Sequence, residues 1–135
     1  MKKLITTKYS ATSFNIAILF LRLVTGILMM HHGYDKLIHF AAYKAQFINL
    51  WGIGTTTSLV LSIFAEFFCA LFIIIGLFTR LAAIPLVINM SVALFMAHKS
   101  DFFNTGEMAF LYLVSFFVLL LVGAGRVSVD SMINK

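Results

Sequence analysis

The sequence predicts an all-α protein, a four-transmembrane-helix bundle, on three observations. Of its 135 residues, 61% are hydrophobic and 11% charged, where soluble domains run at roughly 45 to 50% apolar and 25% charged. The mean hydropathy is +1.02, so a water-soluble fold could not hide the apolar surface. Finally, apolar runs occupy residues 14–33, 58–78, 81–97 and 108–123, and crossing a hydrocarbon core takes about 20 residues, with a range of roughly 17 to 25. Backbone polar groups in lipid must pair within their own segment, which makes these runs helices. The length and the sparse charge predict one integral membrane domain over residues 1–135.

The first run follows Lys2, Lys3 and Lys8, as the apolar core of a secretory signal would. Arg22 interrupts it, and it ends in HHGYDK with no small-residue cleavage site, so the helix is expected to stay in the protein. The connection from residue 34 to 57 is too long for a simple turn. Leu37, Phe40, Ala41, Phe47, Ile48 and Trp51 recur at helical spacing opposite Lys36, His39, Tyr43 and Gln46, which predicts an amphipathic helix at the membrane surface. Lys44 falls on the apolar face. The third run carries Pro85 near its start, where a missing N–H costs little. GAGR, residues 123–126, ends the fourth run with a basic anchor.

Orientation follows from the basic residues outside the runs. Six lie on the side of the termini (Lys2, Lys3, Lys8, Arg80, Arg126, Lys135) and three opposite (Lys36, Lys44, Lys99). The positive-inside rule then puts both termini in the cytoplasm of a bacterial-type inner membrane. The net charge of +5 is spread over tails and connections and forms no face or stripe, which argues against nucleic acid as a partner. Cys69 is the sole cysteine, which excludes an intrachain disulfide and a CxxC motif.

Chemistry is sought in the ionisable groups inside the runs, each of which costs roughly 2.5 to 3.5 kcal/mol to insert alone. Arg22 and Glu66 each sit eight residues from the start of their run, about 12 Å in at 1.5 Å per residue. In antiparallel helices across a core of about 30 Å those depths differ by about 6 Å, which predicts a buried Arg22–Glu66 pair. The pair would either pin two helices together or hold a polar ligand. On a helical wheel Gly26, Met29, Gly33 and Lys36 lie within about 40° of Arg22, and His32 within about 80°. His31 points away, so His32 is the better candidate to face the bundle. Ser62, Glu66 and Cys69 share a face of the second run, and together these residues predict a polar seam opening to the outside. His98 after the third run and Glu107 at the start of the fourth lie at the same outer level. The candidate ligand-binding residues are thus Arg22, Gly26, His32, Gly33, Lys36, Glu66, His98 and Glu107.

A haem held by His31 or His32 with His98 is a weak reading, because no further motif supports two histidines on two helices. No HxxxH or carboxylate cluster suggests a metal site, and no nucleophile triad, phosphate loop or dinucleotide fingerprint occurs.

RLVTGILMMHHGYDKL resembles the opening of DoxX family membrane proteins, with an arginine in the first helix, a glycine and an HGxxK-like end. AEFFCALFIIIGLFTRLAAIPL resembles that family's second helix, its glutamate and the GLxTR turn into the third, while HKSDFFNTGEMAFLYL and VGAGRVSVD resemble its last connection, fourth helix and tail. The likeness covers roughly residues 16–130 and bears on Arg22, Gly26, His32, Gly33, Lys36, Glu66, Gly76, Arg80, His98 and Glu107; the adjacent His31 departs from the pattern. It implies a four-helix membrane protein. The family takes its name from subunits associated with archaeal quinol oxidase and thiosulfate:quinone oxidoreductase, and some bacterial members are linked to oxidative or thiol stress. The resemblance therefore implies a redox association, with quinone as the ligand and an oxidoreductase as the partner. The alternative is a non-enzymatic helper, assembly factor or small-molecule carrier built around a structural Arg–Glu pair, in which a homodimer could form a path.

Overall fold

A computed structural model describes residues 1–134; Lys135, counted above with the basic residues of the termini, lies outside them. Helices dominate, and no strand occurs among the described residues. α1 spans Ala11–Ile38, α2 Phe40–Gln46, α3 Thr55–Ile75, α4 Thr79–Ala97, α5 Glu107–Val122 and α6 Val129–Ile133. α1, α3 and α4 are long and apolar enough to cross a membrane, and α5 is a shorter apolar helix of 16 residues. Their outward faces are apolar: Phe20, Leu61, Phe68, Ile88 and Leu121 are all exposed. A continuous greasy exterior of this kind is what lipid, and not water, tolerates.

Each helix begins or ends where its local chemistry dictates. Ser10 caps α1 by accepting from the Ser13 N–H at 3.0 Å. α3 stops at Gly76, whose φ of +75° lets the following Leu77 N–H turn back to the Phe72 carbonyl at 2.9 Å. A Cβ at Gly76 would also lie 2.5 Å from both an Arg22 nitrogen and Ser128 Cβ, so the position has no room for a side chain. α4 then starts with its first free N–H groups, those of Phe78 and Thr79, donating to the Asp130 carboxylate at 2.7 and 2.9 Å.

α1 and α3 run antiparallel in close contact. Cβ atoms added at Gly26 and Gly33 would meet Ile74 Cγ1 at 2.6 Å and the Glu66 carbonyl carbon at 2.7 Å. The buried positions of α1 are Ile18, Arg22, Thr25, Gly26, Met29 and Gly33, which is the stripe the helical wheel predicts. α4 and α5 form a second antiparallel pair, with Leu86, Phe116 and Leu119 fully buried.

The connection between α1 and α3 departs from the single amphipathic helix expected. α1 continues past Gly33 to Ile38, and α2 is only seven residues long. Phe47 is already extended, with φ −74° and ψ 153°, and a single 3-10 turn, Leu50–Gly52, follows. The glycines at 52 and 54 adopt φ of +79° and +101° and break the helical pattern there. Trp51 projects outward, 77% exposed, and Tyr43 donates a short hydrogen bond to the Asp35 carboxylate, which pushes its phenol up from the ordinary tyrosine range.

Candidate functional site

Arg22 and Glu66 do not meet, which corrects the pair expected from their depths. The Arg22 guanidinium is 1% exposed and donates only to backbone carbonyls: Nε to Ile73 at 3.0 Å, Nη2 to Ile74 at 2.9 Å, and Nη1 to Ala124 at 2.9 Å and Val127 at 2.6 Å. Ile73 and Ile74 belong to the last turn of α3, whose carbonyls lack i+4 helical donors; that of Ile73 is met otherwise only by the Gly76 N–H at 3.2 Å. Arg22 thus caps α3 and ties the chain after α5 to both, about 10 Å along α3 from Glu66.

The reason lies in side-chain direction. A helical Cα–Cβ bond tilts toward the helix N-terminus. Arg22 therefore leans toward the end of α1 that carries Ser10, while Glu66, on an antiparallel helix, leans the opposite way. Lys36, two turns beyond Met29 on the same stripe, leans down toward Glu66.

Lys36 is the partner that Glu66 takes. Its Nζ lies 2.6 Å from Glu66 Oε2 and 3.2 Å from Ser62 Oγ, and 5.7 Å from the centre of the Phe47 ring. Asn89 of α4 donates to Glu66 Oε1 at 3.2 Å. Glu66 is 4% exposed, whereas Lys36 and Asn89 are half-buried, so the carboxylate is enclosed and its two partners reach toward the cavity mouth. Glu66 also lies in a widened π-helical stretch of α3, Phe64–Cys69. A second such stretch, Ala93–Ala97, ends α4 with the His98 N–H bonded to the Ala93 carbonyl five residues back at 2.9 Å. Single π turns inside α-helices recur at functional sites because they re-aim side chains.

Two cavities meet at this cluster. One, of about 220 Å³, is bordered by Lys36, Glu66, Asn89, Gln46 and His98. The other, of about 160 Å³, lies among His32, Tyr112, Met29, Met90 and His98 and also reaches Lys36 and Glu66. Tyr112 packs edge-on against His32, with ring centres 6.0 Å apart.

Of the eight residues singled out from the sequence, Lys36, Glu66, His32 and His98 converge here, and Gly33 backs directly onto the Glu66 backbone. Arg22 and Gly26 lie toward the other end of α1, and exposed Glu107 lines neither cavity. Asn89 and Tyr112 were not among the eight. An amide in the middle of an apolar run is the signal that would have flagged Asn89.

A family model described as DoxX matches residues 17–99, a segment that includes Arg22, Lys36, Glu66, Asn89 and His98. The chain belongs to the DoxX family. Among the relatives of this DoxX protein is an uncharacterized protein of Haemophilus influenzae, 32% identical over 127 residues that cover 86% of this chain and 90% of the relative. A second uncharacterized protein of the same organism is 33% identical over 67 residues, covering 47% of this chain and 44% of that relative. No solved structure matches the chain significantly. Family membership and the apolar helices together make it an integral membrane protein.

The cluster offers binding more readily than bond-making. An ammonium has three donors and a carboxylate about four acceptor positions. Lys36 uses two donors, to Glu66 and Ser62, and Glu66 accepts from Lys36 and Asn89. One N–H and at least one carboxylate lone pair therefore remain beside the cavity. Among the described residues no group of three histidine, cysteine, aspartate or glutamate side chains is placed to hold a metal.

Proposed function

We propose that this DoxX protein is an inner-membrane, redox-associated protein that binds the head group of a lipid-soluble carbonyl compound, a quinone or quinol, in the Lys36–Glu66–Asn89 cavity. The observation that supports it is the unspent donor on Lys36 beside the unspent acceptor on Glu66, both bordering a cavity of about 220 Å³. A quinone carbonyl accepts, and a quinol hydroxyl both donates and accepts, so one arrangement suits both forms. His98 borders both cavities and His32 the smaller one, where they can add hydrogen bonds to the head group. A quinone bound here would exchange electrons with an oxidoreductase partner in or at the membrane.

The test is equilibrium binding of a decyl-tailed ubiquinone analogue to the protein in nanodiscs. Asn89→Leu, which removes a polar wall without stranding a charge, is expected to weaken binding at least about tenfold, as loss of one buried hydrogen-bonding group does. Undiminished affinity in Asn89→Leu, or no saturable binding by the unaltered protein, would defeat the proposal.

In the membrane we place four crossings, α1, α3, α4 and α5, with α2 and the Leu50–Gly52 turn at the outer surface and both termini in the cytoplasm. The basic residues outside the apolar runs support this orientation, with Lys2, Lys3, Lys8, Arg80, Arg126 and Lys135 at the end of the termini against Lys36, Lys44 and Lys99 at the other. A reporter fused after the C-terminus is expected to be active only when it functions in the cytoplasm, and activity of a periplasm-dependent reporter there would reverse the orientation.

A further inference from the structure

The polar cavity does not end at Asn89. It shares Phe47, Ile48, Ser62, Asn89 and Val92 with an apolar groove of about 320 Å³ between α3 and α4. That groove shares Phe64 and Pro85 with a further apolar depression of about 230 Å³, which reaches Phe72, Phe78 and Leu81. From Val92 to Leu81 the series runs along α4 for eleven residues, about 16 Å, or roughly half the hydrocarbon core. Polarity falls along it: the groove has Ser58, Ser62 and Asn89 at its upper end, and below them the depression offers aliphatic and aromatic side chains with one thiol, Cys69. Leu61, Phe64 and Ile88 on its walls are exposed on the face that meets lipid, so the groove is open sideways.

We infer that the ligand carries a single long apolar tail that lies along the α3–α4 groove down to Phe72 and Leu81, and that it enters sideways from the bilayer between these helices. The inference rests on the reading of the Lys36–Glu66–Asn89 cavity as a head-group site. What it adds is where the tail lies, between α3 and α4, and the route by which the ligand comes. A head group held at Glu66 has its substituent directed either outward past His98, where the walls are polar, or into the groove, where they are apolar. An apolar tail gains roughly 0.8 kcal/mol per methylene over water, but in a membrane the competing solvent is already lipid. Selectivity for the tail then comes from fit within the groove and from tethering the head at the right depth.

The experiment uses the full chain in nanodiscs, with ligand expressed as mole fraction in the lipid. A ubiquinone analogue bearing a diazirine at the tail end is photolysed and the labelled residues are mapped. Labels are expected around Phe72, Phe78 and Leu81; labels scattered over the outer faces of α1 and α5 would overturn the inference. In parallel, the decyl-tailed analogue is compared with a tail-free dimethoxy-methyl-benzoquinone. At least tenfold tighter binding of the tailed form is expected, and Ile88→Trp, which fills the groove, should reduce it toward the tail-free value. Equal affinities with both ligands bound would sink the tail assignment and leave the head-group site standing. If neither ligand binds, the head-group reading fails and this inference with it.

Discussion

Arg22→Leu is expected to leave little folded protein. The carbonyls of Ile74, Ala124 and Val127, in two distant segments, lose their donor at once, and that of Ile73 keeps only the Gly76 N–H; each buried acceptor left unpaired costs roughly 1 to 3 kcal/mol. The sum is comparable with the whole stability of a small domain, about 5 to 15 kcal/mol. Arg22→Lys should be nearly as damaging, although it keeps the charge. A single ammonium has three donors on one atom, whereas the guanidinium spreads its donors over a rigid fork that reaches Ile73, Ile74, Ala124 and Val127 together. The measurement is the monodisperse fraction and thermal midpoint after mild detergent extraction. A Lys variant as stable as the parent would mean that charge alone, and not the fan of hydrogen bonds, is what the site needs.

The second large effect concerns Lys36 and Glu66. Removing either partner alone strands a charge in a site where Glu66 is 4% exposed, and broken buried pairs cost about 3 to 5 kcal/mol. Lys36→Met and Glu66→Met should each lower the thermal midpoint sharply. Replacing both removes the stranded charge, and buried pairs exchanged for apolar residues of similar volume are often neutral or even stabilising. The double variant is therefore expected to recover most of the stability while remaining unable to hold a quinone. Recovery of stability together with unaltered quinone affinity would reduce the pair to a helix pin.

Much of the fold was legible because membrane insertion reduces to length and hydropathy. The apolar runs at 14–33, 58–78, 81–97 and 108–123 fall within three residues of the helices at every end but one; the exception is the C-terminal end of α1, which runs on to Ile38. The buried stripe of α1 followed from the angular period, since Arg22, Gly26, Met29 and Gly33 recur on one face whatever lies opposite. Choosing partners was harder. Depth alone made Arg22 and Glu66 neighbours, but the tilt of Cβ toward each helix N-terminus sends them to opposite ends and brings Lys36 to Glu66. That tilt was available from the sequence once the helices were taken as antiparallel. The wheel already set Lys36 on the stripe of Arg22, but the continuation of α1 to Ile38 was not legible, because HHGYDK reads as a helix end in hydropathy. Nor were the π-helical stretches at Phe64–Cys69 and Ala93–Ala97, since they depend on a one-residue shift of backbone bonding that no side-chain pattern announces.

The Arg22 clamp also bears on how the protein is made. Chains emerge N-terminus first, at about 5 to 20 residues per second, so α1 reaches the membrane long before Ala124 and Val127 exist. Until those last carbonyls arrive, the guanidinium has only part of its complement, and the first helix to be synthesised is among the last to be locked. A ribosome that stalls before residue 124 would release a chain with most of its greasy helices and an unfinished closure. Quality control could recognise such a product by an arginine that still lacks its last two carbonyls.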